Sequence, residues 1–149
     1  MNRFRIPVKP GYWIMIELLF LLSGCATISQ FDQYSYAQAT SIKIDALNIM
    51  DSAINDYQLH KPEVIRVKTS IDKIYEYEKH RPKNTFTDKM WGEVKDSSGH
   101  LFGGFIARWQ REGKLNKIFI QEAKTLVSDS FDEIAQLESK KIKPGQVSN

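Results

Sequence analysis

The chain has 149 residues, 42% hydrophobic and 26% charged, with 21 basic residues, 18 acidic ones and a single cysteine. That size suits one domain with its own apolar core, and one thiol excludes an intramolecular disulfide or a cysteine-based zinc site. A net charge of only +3 argues against nucleic-acid binding, which calls for a strongly basic face.

Met1 to Trp13 carries Arg3, Arg5 and Lys9 and no acid, and Ile14 to Leu22 is apolar except for Glu17. Small residues Ser23 and Gly24 then precede Cys25. A basic region, an apolar run and a small-residue cleavage point are the three parts of a secretory signal. The run is too short to span a bilayer, which takes about 20 apolar residues. Glu17 opposes insertion, since a carboxylate at the centre of a membrane helix costs about 2.5–3.5 kcal/mol. Its neighbours Ile14, Met15, Ile16, Leu18, Leu19 and Phe20 outweigh it. The competing reading is a buried amino-terminal helix with Cys25 as a small core residue. The order of the three regions favours the signal.

Leu22-Ser23-Gly24-Cys25 resembles the processing motif of the bacterial lipoprotein class. The resemblance implies that the Cys25 thiol receives a diacylglycerol, residues 1–24 are removed and the new amino terminus is acylated, for instance with palmitate. Several acyl chains anchor far more firmly than one. In that class the residue after the cysteine influences sorting. Ala26 in place of Asp implies the outer membrane, facing the periplasm. No cofactor is expected beyond the covalent lipid on Cys25. The removed segment holds three basic residues and one acid, so the mature chain carries +1. The expected divisions are a signal peptide 1–24, a lipidated tether 25–30, a helical domain 31–143 and a loose tail 144–149.

Ala37, Thr40, Ile44, Leu47, Met50, Ile54 and Tyr57 recur at helical spacing. Neither Gly nor Pro interrupts residues 26–61, which predicts one helix of about 30 residues, near 45 Å long at 1.5 Å per residue. Pro62 is expected to end it or to open the next helix, where its missing donor costs nothing. Val64, Val67, Ile71 and Ile74 mark the face of that second helix, and Pro82 closes it. The short connection 58–61 predicts an antiparallel hairpin.

Residues 81–99 read as loop, rich in Pro, Asn, Ser, Thr and Gly. Thr85-x-x-Asp88 resembles a weak capping box, and Met90-Trp91 pins at most a brief helical turn. Ser98 is the expected cap of a third helix whose stripe is Leu101, Phe102, Phe105, Ile106 and Trp109. Gly103 and Gly104 weaken it by about 1 kcal/mol each relative to Ala, and Gly113 is its stop. The fourth helix starts at the cap Asn116, with Leu115 stapling Ile120. Its face runs Ile120, Ala123, Val127, Phe131, Ile134 and Leu137 or Glu138, and Lys140, Lys141 and Lys143 favour its dipole before Pro144-Gly145. The predicted fold is all-α, an antiparallel bundle of about four helices.

Residues with chemistry are few. His60, His80 and His100 fall near helix ends or loops and form no i, i+4 pair, so no metal site is predicted. Ser97-Ser98-Gly99-His100 lacks the nucleophile elbow and reads as a turn before a helix. Asp129, Asp132 and Glu133 share a helix face and read as surface charge. No catalytic residue is nominated, and no enzyme activity is expected. Trp91, Phe102, Phe105 and Trp109 are the candidate ligand or partner surface, with core packing as the plainer reading. Arg108, Arg111, Lys114 and Lys117, opposed only by Glu112, are the candidate membrane-contact face, with a solvated basic surface as the plainer reading. The function expected is a lipid-anchored interaction or adaptor module that binds an envelope protein. A small apolar-ligand-binding module or a membrane-surface protein is the alternative.

Overall fold

The computed structural model describes residues 31–140. Five α-helices, and no strand among the described residues, give an all-α bundle: α1 Gln33–Asp51, α2 Tyr57–Lys79, α3 Thr85–Lys95, α4 Phe102–Glu112 and α5 Lys117–Glu138. None of them is long and apolar enough to cross a membrane.

The long helix expected from residue 31 breaks after α1, at a 3-10 turn over Ser52–Ile54. Reading only Gly and Pro as stops missed this. Asp51, Ser52, Asn55 and Asp56 are residues whose side chains compete for backbone hydrogen bonds outside helices. Asp56 accepts from the Gln58 N–H at 2.9 Å and starts α2. Distant groups then fix the turn: the Leu115 N–H donates to the Ala53 carbonyl at 2.8 Å and the Tyr57 N–H to the Gly113 carbonyl at 2.9 Å. Pro62 therefore lies inside α2, in its second turn at an exposed position, and neither ends nor begins a helix.

The face expected for α1 is also corrected. Ile44 and Ile54 are more than half exposed, and Ala37 and Thr40 face outward. Met50 and Tyr57 are buried as expected and Leu47 packs partly buried against the core, but the rest of the inward face is Ser35, Ala39, Ile42, Ala46 and Ile49. Small residues at zero exposure, Ala39 and Ala46, let neighbouring backbones approach closely, yet add little to a hydrophobic pattern. On α2, Val64, Val67, Ile71 and Ile74 are buried as the spacing predicts.

Residues 85–95, expected to be loop with one turn, form the three turns of α3. Asn84 occupies its N-cap position without a side-chain cap bond, and Asp88 closes no capping box. Thr87, Met90, Trp91 and Val94 form the buried face, and their burial sustains a helix that local propensity signals weakly. Ser98 does not cap α4, whose N-cap is Leu101. Instead Asp96 accepts from the Ser98 N–H at 2.9 Å and folds the turn between α3 and α4. The Ser98 N–H, and then its hydroxyl, hold the Asp96 carboxyl below the usual aspartate range. Gly113 ends α4 with φ of 76°, and Asn116 caps α5 by accepting from the Phe119 N–H at 2.9 Å. The expected α5 face is buried throughout, and the helix ends at Glu138, before the lysines read as its last turn. Lys141, Lys143, Pro144 and Gly145 lie outside the described residues.

Cross-links set the directions. Ser35 and Asp32 at the start of α1 meet Glu78 and Tyr77 at the end of α2, so these two helices are antiparallel. Lys43 to Asp132 at 2.6 Å and Lys124 to Asp51 at 2.6 Å make α5 antiparallel to α1. At 1.5 Å per residue α3 and α4 together run about 33 Å, close to the roughly 34 Å of α2. The molecule is an up-down-up-down bundle whose third limb is split into α3 and α4.

Candidate functional site

Cys25 and the lipoprotein-like motif lie outside the described residues. The four aromatics proposed as a surface are in the core: Trp91 and Trp109 are fully buried, and Phe102 and Phe105 nearly so. Trp91 meets Phe131 edge-on at 5.6 Å, and Trp109 meets Tyr57 at 5.4 Å. The Trp109 indole N–H donates to the carbonyls of Asn55 and Gly113 at 3.0 and 3.1 Å, pinning α4 to the turn after α1. These rings do not form one surface. Because the α4 stripe is buried, that helix cannot lay the same face on lipid while the bundle is folded.

The basic residues remain outside. Arg108 is half-buried, and Arg111, Lys114 and Lys117 are exposed. Arg108 lies 4.0 Å from the centre of the Phe119 ring, and its Nε donates to Glu112 at 2.9 Å. Stacking and the ion pair together fix a guanidinium that would otherwise be free to move. Beside it opens a cleft of about 490 Å³ between α4, α5 and the turn 97–100. Its apolar floor is Phe105 stacked on Phe119, with Leu126, while Arg108, Arg111 and His100 stand on its walls. The volume suits a small ligand or a peptide side chain with its neighbours. Of the four proposed aromatics, only Phe105 lines it.

The opposite end holds a polar cluster that the sequence reading missed. Glu78 and Glu138 are buried at 0% and 3% exposure. Both accept from Arg81 Nη1, at 2.7 and 2.8 Å. Ser35 and Asn84 also donate to Glu78. The cluster thus joins the start of α1, the end of α2, the segment before α3 and the end of α5. Burial, opposed by Arg81 and reinforced by Glu78, pushes the Glu138 carboxyl above the usual glutamate range. At Asp32 partial burial is outweighed by the Ser35 N–H, the Tyr77 hydroxyl and Arg81, which hold that carboxyl low. Glu78 and Arg81 stand at i, i+3 in the sequence, a spacing equally common on solvated faces, so only the tertiary structure reveals their burial.

His80 and His100 are exposed as expected, whereas His60 is half-buried against Trp109 at 5.9 Å. No cluster of three metal-binding side chains occurs among the described residues. Asp132 is paired with Lys43. No protein-family model matches the chain, and no curated protein or solved structure does so.

Proposed function

We propose that the protein is a lipid-anchored adaptor of the cell envelope, held in the outer membrane by acylated Cys25 and facing the periplasm. The observation that carries this reading is Leu22-Ser23-Gly24-Cys25 behind a basic and then an apolar segment. The helical domain begins a few residues later, at Asp32 and α1. Such a spacing supports a bundle tethered close to the bilayer by its Asp32 end. The cleft beside Arg108 lies towards the other end, because Phe119 is about 28 Å along α5 from Glu138 at 1.5 Å per residue. In this reading the tether sets location and the far half of the bundle meets an envelope protein. No residue is assigned a catalytic role.

The cleft volume favours one second reading, a module that binds a small apolar ligand there. Cross-linking in living cells, followed by purification of the tagged protein and mass spectrometry, separates the two. An adaptor yields one stoichiometric envelope protein, lost in Cys25→Ser, which lacks the acylated thiol. Correct acylation with no partner moves the assignment to the ligand-binding reading.

A further inference from the structure

We propose that the cleft between α4 and α5 is the docking site for an acidic peptide segment of the adaptor's partner, one carrying an apolar side chain; this rests on the adaptor reading. Charge points to the acidic class. Among the residues lining the cleft, Arg108 and Arg111 stand against one acid, Glu122, and exposed Lys114 and Lys117 continue the basic run from α4 into α5. Arg108 is the centre of the site. Its Nε is bonded to Glu112 and its plane is held over Phe119, and its Nη groups make no hydrogen bond among the described residues. A planar guanidinium fixed in this way can take a carboxylate through both Nη donors, which a mobile lysine cannot match.

The floor supplies the apolar half. Leu126 is 52% exposed at the edge of the cleft, and Ile118, one turn before Glu122, is 73% exposed. A side chain seated on Phe105, Phe119 and Leu126 would remove apolar area from water while its neighbouring carboxylates meet Arg108 and Arg111. Aromatic and arginine anchors of this kind carry most of the energy of protein interfaces.

A lipid surface has similar charge, but the placement favours a peptide. Seven residue steps from Cys25 to Asp32 span at most about 25 Å, and the cleft lies towards the end of α5 away from Asp32. The α4 stripe that would enter a bilayer is already in the core. The floor is also recessed between two helices, a shape that receives a protruding side chain better than a flat membrane.

The test uses the full-length acylated protein in zwitterionic nanodiscs and two labelled hexapeptides, one alternating Glu with Leu and Phe, the other with Lys in place of Glu. The acidic peptide is expected to bind about tenfold or more tighter than the basic one, and less tightly as salt rises. Arg111→Gln and Leu126→Asp alter exposed positions and should each weaken it several-fold with unchanged helical content, and Arg108→Gln should do so more strongly. Equal binding of both peptides, no saturable binding, or indifference to these substitutions would overturn the proposal. Arg108-dependent binding to phosphatidylglycerol nanodiscs in place of the acidic peptide would overturn it in favour of lipid. A photo-cross-linking residue at Leu126, with Ile65 on the exposed face of α2 as control, connects the site to cells. A partner captured at Leu126 and displaced by the acidic peptide supports the site. A partner captured only at Ile65 rejects the cleft and leaves the adaptor reading standing. Peptide binding at the cleft with no partner captured anywhere in cells rejects the adaptor reading, and with it the assignment of the peptide to a partner.

Discussion

Arg81 holds two buried carboxyl groups, Glu78 and Glu138, and its removal would leave both without their cation. Breaking such a pair costs about 3–5 kcal/mol because the remaining charge stays buried. Arg81→Met should therefore lower the urea midpoint of the purified protein sharply; a midpoint within error of the parent would contradict the ion-pair account. The same cluster predicts a pH dependence. Glu138 has a raised native pKa, so its contribution is fully present below the unfolded value near 4.5 and is lost as pH rises through the native value. Asp32 has a lowered native pKa, so its contribution is fully present above 3.8 and is lost as pH falls through the native value. Thermal stability should thus peak in mildly acidic buffer and decline towards neutrality. Glu138→Gln should flatten the neutral-side slope while keeping the acid-side loss, and an unchanged slope would assign it to another group. None of this was legible in the sequence, where Glu138 stood merely as an alternative to Leu137 on the α5 face.

The helices were legible where one large apolar stripe met clear end signals. α5 has both, with Asn116 at its start and Ile120 to Leu137 on one face. α3 has neither, and its existence depends on Trp91 and Val94 being fully buried among other elements. The split between α3 and α4 depends on two glycines whose role also lies in tertiary contact. A Cβ on Gly104 would fall on the Gly99 carbonyl oxygen, and one on Gly103 would fall on the Lys95 carbonyl. Gly92 is different, since its added Cβ would sit 3.8 Å from the Tyr75 ring in ordinary contact. Gly104→Ala should consequently destabilise by about 1–3 kcal/mol, the range for overpacking. Gly92→Ala should stabilise by up to about 1 kcal/mol through helix propensity. Paired melting curves check both, and a stabilising Gly104→Ala would show that α4 does not pack on the preceding turn as described.

At the scale of the molecule, the bundle has a sealed polar end and a basic, cleft-bearing opposite half. The all-α class followed from helical spacing. The antiparallel order of α1 and α2 is as expected, but the turn between them is 52–56, and residues 58–61, expected to be the connection, belong to the first turns of α2. The cleft did not follow from the sequence, because its walls come from α4, α5 and the turn 97–100, and the four aromatics that drew attention in the sequence were the ones best suited to filling the core. Of the four basic residues singled out as a membrane-contact face, Arg108 and Arg111 line the cleft, whereas Lys114 and Lys117 do not. In the function proposed above, acylation of Cys25 is what sets the location of this bundle. Labelling cells with isotopic palmitate and determining the mass of the mature amino-terminal peptide tests it most directly. The account predicts an acylated Cys25 as the first residue, with label and membrane retention lost in Cys25→Ser. An unlabelled protein that still carries residues before Cys25, or membrane retention unchanged in Cys25→Ser, would contradict it.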